Sequence, residues 1–142
     1  MYLCNMGRIM GIDFGLKRIG IAISDPLNMF AQPLDTILTS EFPKWIKEYI
    51  LNNLIDSFVV GMPKNLKGED THATQPTLQF IEWLNSEYSN IPVHIIDERL
   101  SSREAQNEVL KMGVPKNKRR EKGRIDNVAA TLILKTYLDT KN

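Results

Sequence analysis

Apolar and polar positions along the chain form blocks that predict strands and helices in a definite order. The predicted strands are short runs of strand-forming residues, and the predicted helices carry apolar side chains at every third or fourth position. Three strands come first, and strands and helices then alternate, which predicts an α/β fold with a mixed five-stranded sheet flanked by helices. The predicted strands are Ile9–Asp13, Arg18–Ser24, Ala31–Leu38, Ser57–Gly61 and Pro92–Ile96.

The predicted helices follow from the apolar spacing between these strands. The first begins near Phe42 and keeps its apolar stripe to Leu54, and Thr39-Ser40-Glu41 offers it an N-terminal cap. The others are Thr71–Tyr88, with the regular part starting near Pro76, a helix from Ser101 to Gly113, and Ile125–Leu138.

Two local signals concern the first three strands. Pro33 lacks a backbone donor, so the third strand should lie at an edge of the sheet. Gly15 should turn the chain between the first two strands, because glycine adopts a positive φ without a steric clash.

Length and composition indicate one soluble domain over residues 1–142, with residues 1–6 as an extension predicted to be disordered. Met6 is an alternative start. The single cysteine, Cys4, excludes an internal disulfide framework and a cysteine metal cluster. The chain has no apolar run of membrane-spanning length and no signal peptide, so we expect a cytoplasmic protein without a membrane partner.

Carboxylates occur at three places that the predicted fold could bring together. Asp13 closes the first strand, Asp97 and Glu98 follow the last strand, and Asp126 lies in the predicted first turn of the last helix. If the first and last strands are parallel and both near the centre of the sheet, their carboxyl ends share one edge. Open α/β sheets bind their ligands at that edge.

The residues alone leave two interpretations of these acids open. Clustered carboxylates repel unless a cation bridges them, and Mg²⁺ or Mn²⁺ held there would support phosphodiester cleavage. Ala129 and Ala130 favour this interpretation, because small side chains would let the last helix approach the sheet. In the alternative each acid has a separate structural role, in which Asp126 stabilises a helix N-terminus, Asp13 fixes a turn, and the remaining acids pair with arginines.

Positive charge is concentrated near the same predicted edge, although the formal net charge of the chain is only +1. The stretch Lys116–Arg124 has no apolar periodicity, so we expect a solvated loop that leads into the helix carrying Asp126. Such a loop could steer a polyanion towards the acids. The candidate nucleic-acid-binding residues are Lys17, Arg18, Arg99, Arg103, Lys116, Lys118, Arg119, Arg120 and Lys122.

Four motifs, in order across nearly the whole chain, resemble those of the YqgF/RuvX family. Ser102 stands where threonine is common in the third motif, which keeps the hydroxyl. The four motifs are Gly11–Ala22 with Ser24-Asp25, Val59–Pro63 with Gly68, Asp97–Ser102, and Lys122-Gly123 through Asp126, Ala129 and Ala130.

The resemblance implies an RNase H-like fold related to the RuvC-type Holliday-junction resolvases. It also implies a cytoplasmic nuclease that trims the 5′ end of precursor 16S ribosomal RNA during ribosome biogenesis. Matched by motif, Asp13, Glu98 and Asp126 would be the catalytic residues and would hold Mg²⁺ or Mn²⁺. Asp97 is the reserve ligand, in case strand alternation directs it, rather than Glu98, at the metals.

The sequence departs from the wider RNase H-like group at one point. In that group the second acid usually ends the strand that corresponds to Ser57–Gly61, whereas here this strand ends without an acid. The acidic cluster would therefore take its second member from the following strand. The positions expected to shape loops, or to make room for backbone or substrate, are Gly11, Gly15, Gly20, Gly61, Pro63 and Gly68.

Two other functions are open. A branched-DNA resolvase would share the fold and, because it cuts two strands symmetrically, would be a homodimer, whereas an RNA nuclease could be a monomer. A non-catalytic nucleic-acid-binding module, linked to transcription or ribosome assembly, would bind RNA in a salt-sensitive way without cleaving it. His72 and His94 are expected to be structural, since none of these functions needs a histidine base.

Overall fold

An initial run of three strands is followed by alternating helices and strands. A computed structural model describes residues 7–63, 72, 74–97 and 122–141, with only the backbone of 122–127. The strands are β1 (Arg8–Asp13), β2 (Arg18–Ser24), β3 (Ala31–Leu38), β4 (Ile55–Met62) and β5 (Val93–Asp97). The helices are α1 (Phe42–Asn52), α2 (Thr74–Glu87) and α3 (Lys122–Lys141), with a 3₁₀ turn at Thr39–Glu41 before α1.

Within the described residues the five strands form one mixed sheet in the order β3-β2-β1-β4-β5. β2 pairs antiparallel with β1 and β3, while β4 pairs parallel with β1 and β5. This confirms the predicted antiparallel start and the parallel strands that follow. β3 lies at an edge, as Pro33 indicates. The condition that the first and last strands both lie near the centre of the sheet is met by β1 alone: among the described strands β5 forms the opposite edge, and β4 separates it from β1.

One face of the sheet packs against α1 and α2, and we call it the α1–α2 face. Met10 and Ile12 of β1 share an apolar core there with Phe42 and Ile46 of α1 and with Leu84 of α2. All five side chains are almost completely buried. The helical stripes predicted from sequence therefore supply this core.

The other face packs against α3, and we call it the α3 face. Ile9 of β1 and Val59 of β4 share a second apolar core with Ala130, Leu134 and Leu138 of α3. Because successive side chains of a strand point to opposite faces, these two cores assign a face to each strand residue.

Two helix ends differ from the sequence prediction. α1 ends at Asn52, so Leu54 lies in the connection to β4 and is 55% exposed instead of extending the helical stripe. α3 begins at Lys122 rather than Ile125. The last three residues of the predicted basic loop, 122–124, are therefore helical, which is compatible with the good helix propensity of lysine and arginine. The predicted helix from Ser101 to Gly113 lies outside the described residues.

The predicted cap of α1 is also wrong. No side chain of the Thr39–Glu41 turn caps the helix, because the Thr39 hydroxyl instead donates to the carbonyl oxygen of Gly15 at 2.7 Å. Pro43 does occupy the first turn of α1, and Pro76 occupies the first turn of α2. None of the helices in the described ranges is long and apolar enough to cross a membrane.

Candidate nuclease site at the carboxyl edge of the sheet

The carboxyl ends of β1, β4 and β5 lie at one edge of the sheet, because the three strands are parallel. Asp13 ends β1 and Asp97 ends β5. The register pairs Ile12 with Val60 and Met62 with Asp97, so the two acids lie at similar heights. β4, which lies between them, ends without an acid, as the sequence indicates.

Strand alternation places the two acids on opposite faces. In β1, Ile12 belongs to the α1–α2 core, so Asp13 lies on the α3 face. In β5, Ile96 belongs to the α3 core, so Asp97 lies on the α1–α2 face. The geometry therefore separates the reserve ligand Asp97 from Asp13 and disfavours a shared metal ion between them.

Gly11 brings α3 unusually close to β1 on the face of Asp13. A Cβ atom added to Gly11 would lie 2.7 Å from the Cβ of Leu134 and 2.9 Å from the carbonyl oxygen of Ala130. Only glycine fits at this distance, so helix and strand backbones nearly touch. The close approach expected from the small residues of α3 is present.

Asp126 lies one helical turn before this contact, while Asp13 lies two residues after it on β1. Four helical residues span about 6 Å, and two strand residues span about 7 Å, so both backbones are within roughly one turn of the same contact. Asp126 is the fifth residue of α3, and the first turn contains no acid. The prediction that Asp126 lies in the first turn is therefore wrong, since the helix begins earlier. This weakens the structural alternative for Asp126, because helix-dipole stabilisation falls off within the first turn.

Asp13 is flanked on the α3 face by residues that carry no side chain. Gly20 of β2 pairs directly with Asp13. On the other side, the pairing of Ile12 with Val60 makes Gly61 the next residue of β4 at the height of Asp13. The half-buried Asp13 side chain thus projects between two glycines, where no neighbouring strand side chain occupies the space needed by a cation or a phosphate.

The turn after β1 is held close to β2 and β3. A Cβ on Gly15 would lie 2.5 Å from the carbonyl oxygen of Arg18, so glycine is required by this close approach. Gly15 does not use the left-handed backbone conformation that glycine permits, so the close approach to Arg18 explains the glycine at this turn. Thr39 stabilises the same turn with two hydrogen bonds. Its backbone N–H donates to the carbonyl oxygen of Lys17, and its hydroxyl donates to the carbonyl oxygen of Gly15.

Two candidate cations lie in this turn. Lys17 is exposed and Arg18 is half-buried. Ile19 belongs to the α1–α2 core, so alternation places Arg18 on the α3 face, as a diagonal neighbour of Asp13 across the β1–β2 pair. A phosphate near Asp13 would be within reach of this guanidinium.

The opposite end of the β1–β2 pair contains a polar network that sequence reasoning did not identify. The buried Ser24 hydroxyl accepts a hydrogen bond from the Ile9 backbone N–H at 2.9 Å and donates to Asn28. Asn28 also donates to the Gly7 carbonyl oxygen at 3.2 Å and has a left-handed backbone, φ 56°. The Asp25–Asn28 turn composition is the signal for it, because Asp and Asn favour such turns.

Asp25, the last residue of the opening motif, also serves the backbone at this end. Its carboxylate accepts bonds from the N–H groups of Met29 and Phe30, both at 2.7 Å, and from Leu27 at 3.3 Å. Burial alone would raise the pKa of Asp25, but the hydrogen bonds from Phe30, Met29 and Leu27 outweigh it and lower the pKa below the ordinary 3.8. Asp25 is therefore a structural carboxylate.

Several predicted site residues lie outside the described residues. Among the described side chains no three metal-binding groups come together, which leaves Asp13 as the described member of the predicted metal cluster. Its carboxylate suits a hard cation such as Mg²⁺ in donor chemistry and in space. Glu98, Arg99, Arg103, Lys116, Lys118, Arg119, Arg120 and Gly68 lie outside the described residues, and Asp126 and Lys122 are described only in their backbone.

The two histidines lie in different settings within the described part of the chain. The His94 ring stacks on Tyr137 of α3 with ring centroids 5.1 Å apart. By register, His94 pairs with Val59, well before the carboxyl end of β5. His72 is exposed in a turn. The stacking of His94 agrees with a structural role, and the structural role of His72 stays a prediction.

A family model described as "RuvX: Holliday junction resolvase" matches residues 7–140 of the chain. A relative from Porphyromonas gingivalis, described as a pre-16S rRNA nuclease, is 37% identical over 94% of this chain and 97% of its own length. A relative from Chlorobaculum tepidum with the same description is 42% identical over 94% of both chains.

Solved structures of RuvC resolvases share the fold. Thermus thermophilus RuvC superposes with a TM-score of 0.61 at 12% identity, covering 94% of this chain and 96% of that one. The same protein in complex with a Holliday junction superposes with a TM-score of 0.59 at 13% identity, with the same coverage. The implied RNase H-like architecture is thereby confirmed.

Proposed function

The chain belongs to the RuvX family, and from that premise we propose that it is a metal-dependent nuclease that processes the 5′ end of precursor 16S ribosomal RNA. Relatives 35–42% identical over nearly their whole length are described as pre-16S rRNA nucleases. Its proposed reaction is hydrolysis of a phosphodiester bond in the cytoplasm, where ribosomal RNA precursors are processed.

The observation that carries the proposal is the position of Asp13. Its carboxylate lies at the carboxyl edge of the central strand, on the α3 face and between Gly20 and Gly61. The close contact at Gly11 supports the placement of Asp126 beside it. The neighbouring strand positions on this face, Gly20 and Gly61, carry no side chains, which leaves room beside the carboxylate for a charged ligand.

In this proposal Asp13, Glu98 and Asp126 hold one or two Mg²⁺ or Mn²⁺ ions. The chemistry that bound divalent cations supply is activation of water and stabilisation of charge on the leaving oxygen. Glu98 is preferred to Asp97 as the second ligand, because Asp97 lies on the α1–α2 face. Arg18 would orient the scissile phosphate from the α3 face, and Lys17 would bind a neighbouring phosphate from the exposed turn.

The test compares wild type with Asp13→Asn on precursor 16S ribosomal RNA, with Mg²⁺ and with EDTA. We expect cleavage by the wild type to require Mg²⁺ and to fall at least about a hundredfold in Asp13→Asn, more than for loss of an outer-shell partner. Asp25→Asn is the matched control, because it alters a carboxylate at the other end of the same hairpin. Equal cleavage by wild type and Asp13→Asn would refute the assignment.

A second candidate, cleavage of branched DNA, is favoured by the family description as a Holliday junction resolvase. It uses the same residues but requires two sites related by a twofold axis. Four-way DNA junctions and precursor RNA should therefore be assayed side by side, with the molecular mass measured in the same buffer. Symmetric junction cleavage by a dimer would favour the resolvase, whereas RNA cleavage by a monomer would favour the primary proposal.

A further inference from the structure

A cavity of about 330 Å³ opens beside the turn that follows β1, on the α1–α2 side of the sheet. It is lined by Phe14 and Leu16 from the turn, by residues at the start of α1, and by Phe80 and Trp83 of α2. Thr39 and Gln79 contribute polar groups to a lining that is otherwise apolar. None of these side chains has a part in the reaction described above.

Three aromatic rings in this lining are stacked in sequence. Phe14 and Phe80 stack with ring centroids 4.7 Å apart and planes 27° apart. Phe80 and Trp83 stack at 6.2 Å and 24°. Each ring is therefore within 27° of parallel to its neighbour in the series, and Phe14 and Trp83 are both partly exposed. Such a set of ring faces suits a flat aromatic ligand better than a branched aliphatic one.

The cavity and the proposed catalytic acid are adjacent along the chain. Phe14 directly follows Asp13, so their Cα atoms are about 3.8 Å apart. Asp13 lies on the α3 face, whereas Phe14 packs against the α1–α2 core. The end of β1 thus separates a carboxylate on one side from an aromatic cavity on the other, and a polynucleotide crossing this edge would meet both.

We propose that this cavity binds an unpaired nucleobase of the substrate, next to the nucleotide whose phosphate lies at Asp13. The inference rests on the proposed nuclease function and adds a stacking subsite to it. The volume is at the low end for small-molecule sites, which fits one ring system rather than a large cofactor. Stacking on aromatic side chains holds bases of any sequence in single-stranded nucleic acid.

Charge around the cavity favours a nucleotide over an apolar protein side chain. Lys17 is exposed in the same turn as Phe14 and Leu16, where an ammonium group can neutralise the phosphate joined to a bound base. Gln79 is exposed at the cavity and carries both donors and an acceptor for the edge of a base. An apolar side chain of a protein would leave these polar groups without a function.

The first experiment measures the affinity for a short fluorescein-labelled oligoadenylate in EDTA, where no metal-dependent cleavage occurs. Phe14→Leu keeps an apolar side chain but removes the ring face, and Leu16→Ala removes an exposed wall. Leu51→Ala is the matched control, because Leu51 is 77% exposed and Leu16 is 75% exposed, and Leu51 does not line the cavity. We expect the two cavity variants to bind about fivefold more weakly, equivalent to ~1 kcal/mol, and the control to bind normally.

The second experiment uses tryptophan fluorescence, because the chain contains two tryptophans, Trp45 and Trp83. In Trp45→Phe the fluorescence comes from Trp83 at the cavity, and a stacked base should quench it. In Trp83→Phe the remaining Trp45, which is not part of the lining, should report no quenching. Replacing one nucleotide by an abasic residue at the cavity position should remove both the quenching and the effect of Phe14→Leu.

The outcomes separate this inference from the proposed function. If wild type, Phe14→Leu and Leu16→Ala bind the oligoadenylate equally, the base subsite is refuted, even where Asp13→Asn still abolishes cleavage. If the oligonucleotide fails to bind wild type at all, the subsite and the nucleic-acid-binding premise are both refuted. Weaker binding of both cavity variants, with normal binding of Leu51→Ala, would support the subsite.

Discussion

The two ends of the β1–β2 pair use their polar residues in opposite ways. At the carboxyl end of β1, Asp13 projects between Gly20 and Gly61, and the exposed cation Lys17 lies in the adjoining turn. At the other end, Ser24 and the residues after it satisfy backbone N–H and carbonyl groups. At one end glycines of the neighbouring strands flank the carboxylate, and at the other end backbone N–H groups bind the carboxylate.

The difference between the two ends shows that a single sequence motif can contain both a candidate catalytic residue and residues that stabilise the fold around it. Gly11 to Asp25 is one continuous stretch, yet its first acid lies between two glycines at the strand edge and its last acid holds a turn. Buried and partly buried polar groups need partners. The hydrogen bonds that Asp25 accepts from backbone N–H groups explain its role in folding, whereas Asp13 lies between two glycines at the strand edge, where the proposed function needs a metal ligand.

The largest expected effect is that of Gly11→Val, which should damage both folding and cleavage. Its side chain would collide with Leu134 and with the carbonyl oxygen of Ala130, and overpacking of this kind costs about 3 kcal/mol. Because α3 would have to move away from β1, activity per folded molecule should also fall. Thermal unfolding and cleavage of the same preparation measure the two effects. A variant with normal stability and activity would mean that the close helix contact is unnecessary.

Asn28→Ala should affect stability alone, by about 2 kcal/mol, since it removes two hydrogen bonds and places alanine in the left-handed region. Asn28→Gly is the matched variant: it loses the same bonds but tolerates φ 56°, so the loss should be about 1 kcal/mol smaller. Denaturant titration measures the difference. Cleavage by the folded fraction should equal that of wild type. A selective loss of cleavage would contradict the assignment of a purely structural role to the Ser24–Asn28 end of the hairpin.

Arg18→Ala should affect nucleic-acid binding and leave stability nearly unchanged. Loss of one phosphate contact should weaken RNA binding about fivefold, or ~1 kcal/mol, and reduce the slope of log affinity against log salt by about one. The control is Arg8→Ala, because Arg8 is also a half-buried arginine but begins β1 at the other edge. Similar losses in both variants would remove the distinction between the edges.

The smallest expected effect is the contribution of Asp25 to the pH dependence of the stability of the fold. Its pKa is lowered in the folded state, so its ionised form contributes stability above the unfolded-state value of 3.8. That contribution is lost as pH falls through the lower folded-state pKa. Wild type should therefore be slightly more stable than Asp25→Asn at neutral pH, and the gap should close in acid. Melting temperatures across that range test this, and a gap that widens in acid would contradict the assigned hydrogen bonds.

The sheet could be predicted because its signals are local. Short apolar runs with β-branched residues mark β1, β2 and β4, and Pro33 marks an edge strand. The start of α3 was harder to predict, because Lys122 to Arg124 lack an apolar stripe and include Gly123, which has a low helix propensity. Thr39 resembles a helix cap in sequence, but its hydroxyl is used by a turn 24 residues away in the chain. Such a tertiary contact leaves no local signal.

The candidate site was predictable only where its signals are local in the sequence. Asp13 ends a strand, so the sequence indicates which edge of the sheet it lies at. The face of the sheet on which it lies depends on which of the two cores contains Ile12. The choice between Asp97 and Glu98 likewise depends on Ile96 packing against α3. The aromatic cavity joins Phe14 to Phe80, which are far apart in sequence. Periodicity explains each ring as core packing and gives no sign of the space between them.

The most direct test of the division between the two ends is the position of bound manganese. Crystals of wild type and of Asp13→Asn should be soaked in MnCl₂ and measured for anomalous scattering. We predict a peak within about 2.2 Å of the Asp13 carboxylate of the wild type, on the α3 face, and its loss in Asp13→Asn. A well-occupied manganese ion at Asp25, with none at Asp13, would contradict the account.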